Sequence, residues 1–449
     1  MREILREGCI FEVGGFVRDS LLRRKVAFKD RDYLVTGIPY DRLQAILKRF
    51  GRVDLVGRSF GVIKFTPYSR TDDSDIEGTC DISLPRAEKS TGPAHTDFEV
   101  DFNPDIPVED DLLRRDFSIN AMARSLADGT LIDPYGGRDD LNDRIIRMVS
   151  DNSFKEDPLR MLRAIQFAAR FEFTIEPKTY QCLVDNVDLI TTVSPERIAE
   201  ELNKMLVRAE KPSIGLRLMQ ETGLLHHIIP ELEDSVGCEQ PGGYHKYDVF
   251  EHTLRIVDAC PPRLHLRLAG IFHDITKPIH KRINDTGATF YGHESSGAKV
   301  AQKVLKRLRY SNDIIHDVML LVERHMFTTE VGPKGLRRFI RRIGQRLIPD
   351  LLDLRRADVI AQGMGGTTED VDEMEQAIKD EIERKPPFGR SDLKVNGKDI
   401  MTLFGLKESP RVGEVIEFLM EKVLDNPDDN ERDTLIRYAG DYLNGKIVS

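Results

Sequence analysis

Cysteine is scarce and scattered in this chain of 449 residues: five in all, at Cys9, Cys80, Cys182, Cys238 and Cys260. An odd number without a CxxC pair fits neither a disulfide framework nor a zinc site, so a reducing, cytoplasmic setting is expected. No apolar run is long enough to span a membrane and no secretory signal is evident, so no membrane partner is expected. Internal repeats and low-complexity tracts are missing too, which argues against a solenoid. Nor is there an excess of positive charge. Lys and Arg number 66 against 76 Asp and Glu, for a formal net charge of −10. Nucleic-acid binding would therefore rest on local patches, of which two stand out: Lys299 to Arg309, and Lys334 to Arg346 with its RRFIRR core. The length exceeds one ordinary core and predicts two to four domains.

What is present is most informative between Phe11 and Gly37, FEVGGFVRDSLLRRKVAFKDRDYLVTG. Phe11-Glu12-Val13 reads as a short strand. Gly14-Gly15 allows a tight turn with bare N–H groups pointing outward. Val17 to Leu22 follows as the first turns of a helix, whose amino end favours anions. Asp30-Arg31-Asp32 leads into a second strand, Tyr33-Leu34-Val35. Residues i and i+2 of a strand share a face, so the carboxylates of Asp30 and Asp32 project together and repel unless a cation lies between them. Mg²⁺ suits that oxygen-rich pair, and a phosphate cradle beside it is the apparatus of nucleotidyl transfer.

Further motifs extend the set. In LRRDFSINA (Leu113–Ala121), the paired arginines suit a triphosphate, and Asp116 and Asn120, four apart, predict a shared helical face toward a ribose. In FKEDPLR (Phe154–Arg160), Asp157 and Arg160 are expected on one side of a helix, where carboxylate and guanidinium can address a base edge. Up to about Arg138 the pattern is mixed α/β, ending at the turn Asp133-Pro134-Tyr135-Gly136-Gly137, with an exposed acidic loop expected over Ser69–Thr79. Beyond it the pattern is helical, as in Leu159, Leu162, Ile165 and Ala169.

These motifs, with CDISLPR (Cys80–Arg86) and SPERIAEE (Ser194–Glu201), closely resemble the class II tRNA nucleotidyltransferase and bacterial poly(A) polymerase family; Ser118 stands where threonine is usual. The resemblance implies an α+β architecture: a polymerase β-like head (1–138) with a mixed sheet, then an all-α neck (139–232), HD domain (233–385) and tail (386–449). It implies catalysis at Asp30, Asp32 and Asp81, with Mg²⁺ on Asp30 and Asp32. The implied nucleotide-binding set is Gly14, Gly15, Arg18, Arg115, Asp116, Asn120, Asp157, Arg160 and Arg163. Asp157 and Arg160 would select CTP or ATP without a template, while Arg197 and Glu200 brace the pocket. The implied activity is addition or repair of the CCA end of tRNA; poly(A), CC-only or A-only addition share every motif. The tail, including Lys394–Arg411, is expected to hold RNA.

In the second half, His252, the pair His273-Asp274 and Asp358 occur in the order of the HD phosphohydrolase domain, with Thr276 at a usual glycine position. Imidazoles and carboxylates together would hold a divalent metal that activates water, and Ni²⁺ or Mn²⁺ suits the mixed donors. His293 and His325 are candidates for a second metal or for phosphate. Another class of reading makes this domain the main activity, with the head a nucleotide sensor.

Overall fold

The computed structural model describes residues 2–24, 31–55, 62–68, 78–90, 98–243, 245–285, 287–384 and 386–445. Asp30 and most of the acidic stretch 69–79 lie outside them. The chain forms two compact units, Met1–Glu233 and Asp234–Ser449.

The first unit opens with nine strands: β1 (Cys9–Val13), β2 (Asp32–Thr36), β3 (Gly51–Leu55), β4 (Val62–Pro67), β5 (Cys80–Ser83), β6 (Arg86–Ser90), β7 (Phe98–Phe102), β8 (Ala123–Ser125) and β9 (Leu131–Ile132). β6 and β7 pair as a ribbon, and the other seven form one sheet in the order β3-β4-β5-β2-β1-β8-β9. Every pair in that sheet is antiparallel except β2 with β5, which run parallel with Asp32 opposite Asp81 and Leu34 opposite Ser83. Both faces are covered. Ile10, Tyr33, Val35, Ile63 and Ile82 pack with Leu43, Ile46 and Leu47 of the helix Tyr40–Lys48. Phe11, Val13 and Leu34 pack on the other face with Val108, Leu112 and Ala121. The two-residue period puts Asp32 and Asp81 on Leu34's face.

Four helices of this unit carry the site: α1 (Gly15–Leu21), α2 (Val108–Leu113), α3 (Leu159–Phe171) and α4 (Pro195–Arg208). α3 buries Leu159, Leu162, Ile165 and Ala169, as their spacing predicts, and packs on α4 and the helix Pro212–Glu221. The turn after β9 is tied by the Asp133 carboxylate, which accepts from the N–H groups of Gly137 and Arg138 at 2.7 and 2.8 Å.

The second unit is helical apart from the hairpin Arg282–Asn284 with Gly287–Thr289. Its main helices are α5 (Val249–Ala259), α6 (Leu264–Phe272), α7 (His293–Arg307), α8 (Asn312–Arg324), α9 (Pro333–Ile343), α10 (Ile348–Ala361), α11 (Glu369–Glu383), α12 (Gly397–Phe404), α13 (Pro410–Asp425) and α14 (Arg432–Leu443). α5 packs on α6 and α10, and α6 on α8. The last three helices share a core of Ile400, Val415, Leu419, Val423, Leu435 and Ala439. A mixed sheet followed by helices is the α+β class expected. No helix among the described residues is long and apolar enough to cross a membrane.

Candidate active site

β1 ends at Val13, and the chain turns at Gly14 with φ +68 before entering α1. A side chain there is disfavoured by the positive φ, and a Cβ would lie 2.5 Å from Arg115 Nη1, so the guanidinium would have to shift. The Gly14 N–H does not point outward as expected; it donates to the Met122 carbonyl at 3.2 Å and so ties the turn to the sheet. Arg115 is held over this turn by Asp111, a fully buried carboxylate of α2 that also accepts from Arg114 at 2.6 Å. Asp111 escaped the sequence reading, although its i,i+3 and i,i+4 spacing to the two arginines was a usable signal.

Gly14, Gly15, Arg18, Arg115, Asp116 and Asn120 line a cleft of about 320 Å³ together with Asp32, Asp157, Arg160, Arg163 and Phe167. Asp81 is brought beside Asp32 by the strand register. A chain of polar contacts runs along the cleft: Arg18 Nη1 donates to Asn120 Oδ1 at 2.6 Å, Asn120 Nδ2 to Asp116 Oδ1 at 2.9 Å, and Arg163 Nη2 to Asp116 Oδ2 at 2.6 Å. Arg163 Nη1 reaches Glu201 Oε1 on α4 at 3.3 Å. Burial alone would raise the Asp116 pKa, but Arg163 and the hydrogen bonds from Asn120 and the Phe117 N–H hold it below the usual carboxylate value. The same carboxylate and Glu201 raise Arg163 against the effect of burial.

Two local expectations are corrected. Asp116 and Asn120 do not share a helical face: Phe117 is extended (φ −131, ψ 151), bridged to Met148, and a single 3₁₀ turn, Ser118–Asn120, follows. Pairing at Phe117 overrides the helical spacing, and a direct hydrogen bond joins the two polar side chains instead. Asp157 lies ahead of α3, in extended conformation, rather than on it. Its Oδ1 accepts from the Leu159 N–H at 3.2 Å and its Oδ2 from Arg197 Nη2 at 2.8 Å. Arg160 is fixed by the Arg114 carbonyl at 2.7 Å and Glu156 at 3.1 Å.

The second unit gathers its other five candidate ligands around Asp274. His273 Nε2 is 3.0 Å and Lys277 Nζ 2.6 Å from Asp274 Oδ2, while His293 Nε2 is 3.2 Å and His325 Nε2 3.7 Å from Oδ1. His252 Nε2 lies 3.7 Å from Asp274 and 3.1 Å from Asp358. One device orients three of the imidazoles. His273, His293 and His325 each use Nδ1–H to donate to the carbonyl three residues back, at 2.7–2.8 Å, which turns Nε2 inward. Burial pushes His325 down to about 3, and the charge of His273 adds to this. Burial with Lys277 pushes His245 down to about 4. His245, whose ring centroid is 4.7 Å from that of His252, was not picked out from the sequence. Thr276 costs nothing in place of glycine: its φ is −103, and its hydroxyl donates to the His293 carbonyl at 2.8 Å. The neighbouring cavity measures about 490 Å³.

Most charges of the basic stretch Lys334–Arg346 are paired within their own unit. Lys334 pairs with Asp425, Arg337 with Glu381, Arg338 with Glu421 and Asp425, Arg341 with Glu417 and Glu421, and Arg346 with Asp317. Arg337 also donates to the Leu424 and Asp425 carbonyls, so α9 clamps α13, while Lys334, Arg342 and Arg346 stay exposed. In the other stretch Lys299, Lys303 and Lys306 are exposed on α7.

A mixed sheet with paired carboxylates and a glycine turn over arginines defines the nucleotidyltransferase class, and comparison with known proteins agrees. Residues 10–147 match the poly A polymerase head domain, 172–235 the "Probable RNA and SrmB-binding site of polymerase A", and 291–439 a tRNA nucleotidyltransferase domain 2. The A-adding tRNA nucleotidyltransferase of Deinococcus radiodurans is 36% identical over 347 residues, 72% of this chain and 77% of that one. The multifunctional CCA protein of an Azoarcus species is 37% identical over 326 residues, 70% and 72% of the two chains. The Bacillus stearothermophilus CCA-adding enzyme, solved in complex with CTP, shares the fold with a TM-score of 0.71 at 22% identity, over 99% of this chain and 96% of that one. The chain belongs to the tRNA nucleotidyltransferase and poly(A) polymerase family.

Proposed function

We propose that the chain is a template-independent, cytoplasmic tRNA nucleotidyltransferase that adds or repairs the 3′-terminal CCA from CTP and ATP, releasing pyrophosphate. The observation that carries this is the parallel register of β2 and β5, which sets Asp32 beside Asp81 on the face of the sheet that bears the cleft. Two carboxylates abreast are hard oxygen donors that repel each other without a cation, and this donor set fits Mg²⁺. Asp32 and Asp81 would hold it with Asp30; when bound, the ion lowers the pKa of the RNA's terminal hydroxyl and offsets charge developing on the phosphates. Gly14, Gly15, Arg18 and Arg115 hold the triphosphate, since guanidiniums present fixed donors to phosphate oxygens. Asp116 and Asn120 orient the sugar. Asp157 and Arg160 read the base, each held by protein contacts that leave its orientation little freedom. On this reading 1–138 carries catalysis, 139–232 base recognition, 233–385 the second centre and 386–449 RNA contact.

The test is tRNA lacking its last three nucleotides, incubated with CTP, ATP or both. Three-nucleotide extension only with both nucleotides supports the reading. Extension by one A, confined to tRNA already ending in CC, would replace it with A-only addition, the specificity in the name of the Deinococcus relative. Asp32→Ala and Asp81→Ala should each abolish incorporation while the circular dichroism stays unchanged.

A second activity is favoured by the Asp274 centre. His252, His273 and Asp274 bring buried donor atoms within 4.8 Å of one another, as do Asp274, His293 and His325, and nitrogen and oxygen donors converging in this way fit a metal. His252, His273, Asp274 and Asp358 would hold Ni²⁺ or Mn²⁺, with His293 and His325 beside them; the metal would supply activated water for hydrolysis of a phosphoester such as a 2′,3′-cyclic phosphate. Metal content and cyclic phosphate hydrolysis that vanish together in a His273→Ala, Asp274→Ala double variant, with incorporation retained, support it. No bound metal and no hydrolysis by the unaltered protein would reject it.

A further inference from the structure

Beyond the nucleotide cleft, at the far end of α3 from Asp157, three guanidinium groups surround one phenyl ring. Arg18, Arg24 and Arg170 lie 4.8, 4.7 and 4.9 Å from the Phe171 centroid. Among the described residues, Asp19 is the one carboxylate in an ion pair with any of them, at 2.7 Å from Arg18 and a long 3.7 Å from Arg170. Like charges are thus concentrated with little compensation. Burial, with the neighbouring charges of Arg18, Arg208 and Arg24 and against the opposing effect of Asp19, lowers the Arg170 pKa to about 10. Arg170 and Arg208 each sit in the last turn of their helix, where the carbonyl ends offset a cation only weakly. Such a cluster favours a multiply charged anion.

Position selects which anion. The cleft is lined along α3 by Arg160, Arg163 and Phe167, and Phe171 is one turn further on the same stripe. Along α1 it is lined by Gly15 and Arg18, and Arg24 follows beyond the helix. Both elements leave the cleft at the end opposite the base-reading pair, and Arg18 joins the two regions, bonded to Asn120 on one side and stacked on Phe171 on the other. Displacement at the α-phosphorus is in line, so the leaving group departs away from the primer hydroxyl. A cationic cluster beyond the triphosphate cradle is therefore placed for the leaving pyrophosphate rather than for the primer.

We propose that Arg24 and Arg170, with Arg18, form a pyrophosphate subsite continuous with the nucleotide cleft, a proposal that rests on the nucleotidyltransferase reading. The full chain carrying Arg24→Gln, an exposed position whose change spares the core, should bind inorganic pyrophosphate roughly tenfold more weakly by calorimetry. Its KM for pyrophosphate in the reverse reaction should rise with kcat little changed, and Arg24→Lys should recover part of the loss. RNA affinity and thermal midpoint should stay as in the parent. Arg170→Gln should act in the same direction if it folds. Unchanged pyrophosphate affinity in Arg24→Gln overturns the subsite, and so does a loss confined to RNA affinity with a shallower salt dependence. Parent protein that binds pyrophosphate but extends no RNA would instead reject the nucleotidyltransferase reading and leave the anion site standing.

Discussion

Arg197 holds Asp157 through a 2.8 Å ion pair, which fixes the orientation of the carboxylate proposed to read the base. Arg197→Ala should therefore loosen discrimination against GTP and UTP. A misplaced hydrogen bond worth about 1–2 kcal/mol corresponds to roughly a tenfold change. The KM for triphosphate should move less, because the phosphate contacts lie elsewhere; equal loss of both would show that Arg197 only supports the fold. Asp116 gives a pH prediction. Its folded pKa is depressed, so the stability it contributes is complete above the ordinary value of 3.8 and is lost as pH falls through the lower folded value. Urea midpoints of the parent and Asp116→Asn should differ most at neutral pH and converge in acid. A gap that is constant with pH would mean the carboxylate's charge is not what Arg163 depends on.

At the scale of elements, α3 ends at Glu172 with φ 55 and ψ 46, the left-handed cap conformation that glycine adopts freely. A side chain there costs about 1–2 kcal/mol, partly offset by the extra freedom glycine gives the unfolded chain. Glu172→Gly should raise the melting temperature by roughly 2–4 °C. A fall would show that the Glu172 side chain stabilises more than its backbone costs. The α9–α13 clamp makes a contrasting case. Arg337 donates to two carbonyls and a buried carboxylate, so Arg337→Ala would strand all three groups. It should destabilise the second unit by several kcal/mol, read as a lower urea midpoint, while a surface arginine would cost almost nothing.

For the whole molecule, net charge is a poor guide to RNA binding because much of the basic side-chain inventory is paired within its own unit. The exposed face of α7 remains. Changing Lys299, Lys303 and Lys306 together to Gln should flatten the salt dependence of tRNA affinity by roughly one unit of slope for each phosphate no longer neutralised. The same experiment with Arg338 and Arg341 should leave the slope alone and lower stability instead. The reverse pattern would make α9 the RNA surface.

The strand–glycine turn–helix of the head, the helical spacing of α3 and the identity of nearly every cleft residue are legible along the sequence. These are local properties: turn chemistry, apolar period, and charged types that core packing alone does not call for. It could not show that β2 and β5 run parallel with Asp32 opposite Asp81, since register is a pairing of segments 49 residues apart. It misread Asp116 to Asn120 because a four-residue spacing fits a helix equally well, and only the bridge from Phe117 to Met148 excludes one. Nor could it show that Arg337, Arg338 and Arg341 of RRFIRR are already paired, because their acidic partners on α11 and α13 are brought in by the tertiary fold. Charge counts are visible along a chain, but whether a charge is already neutralised is decided by what packs against it.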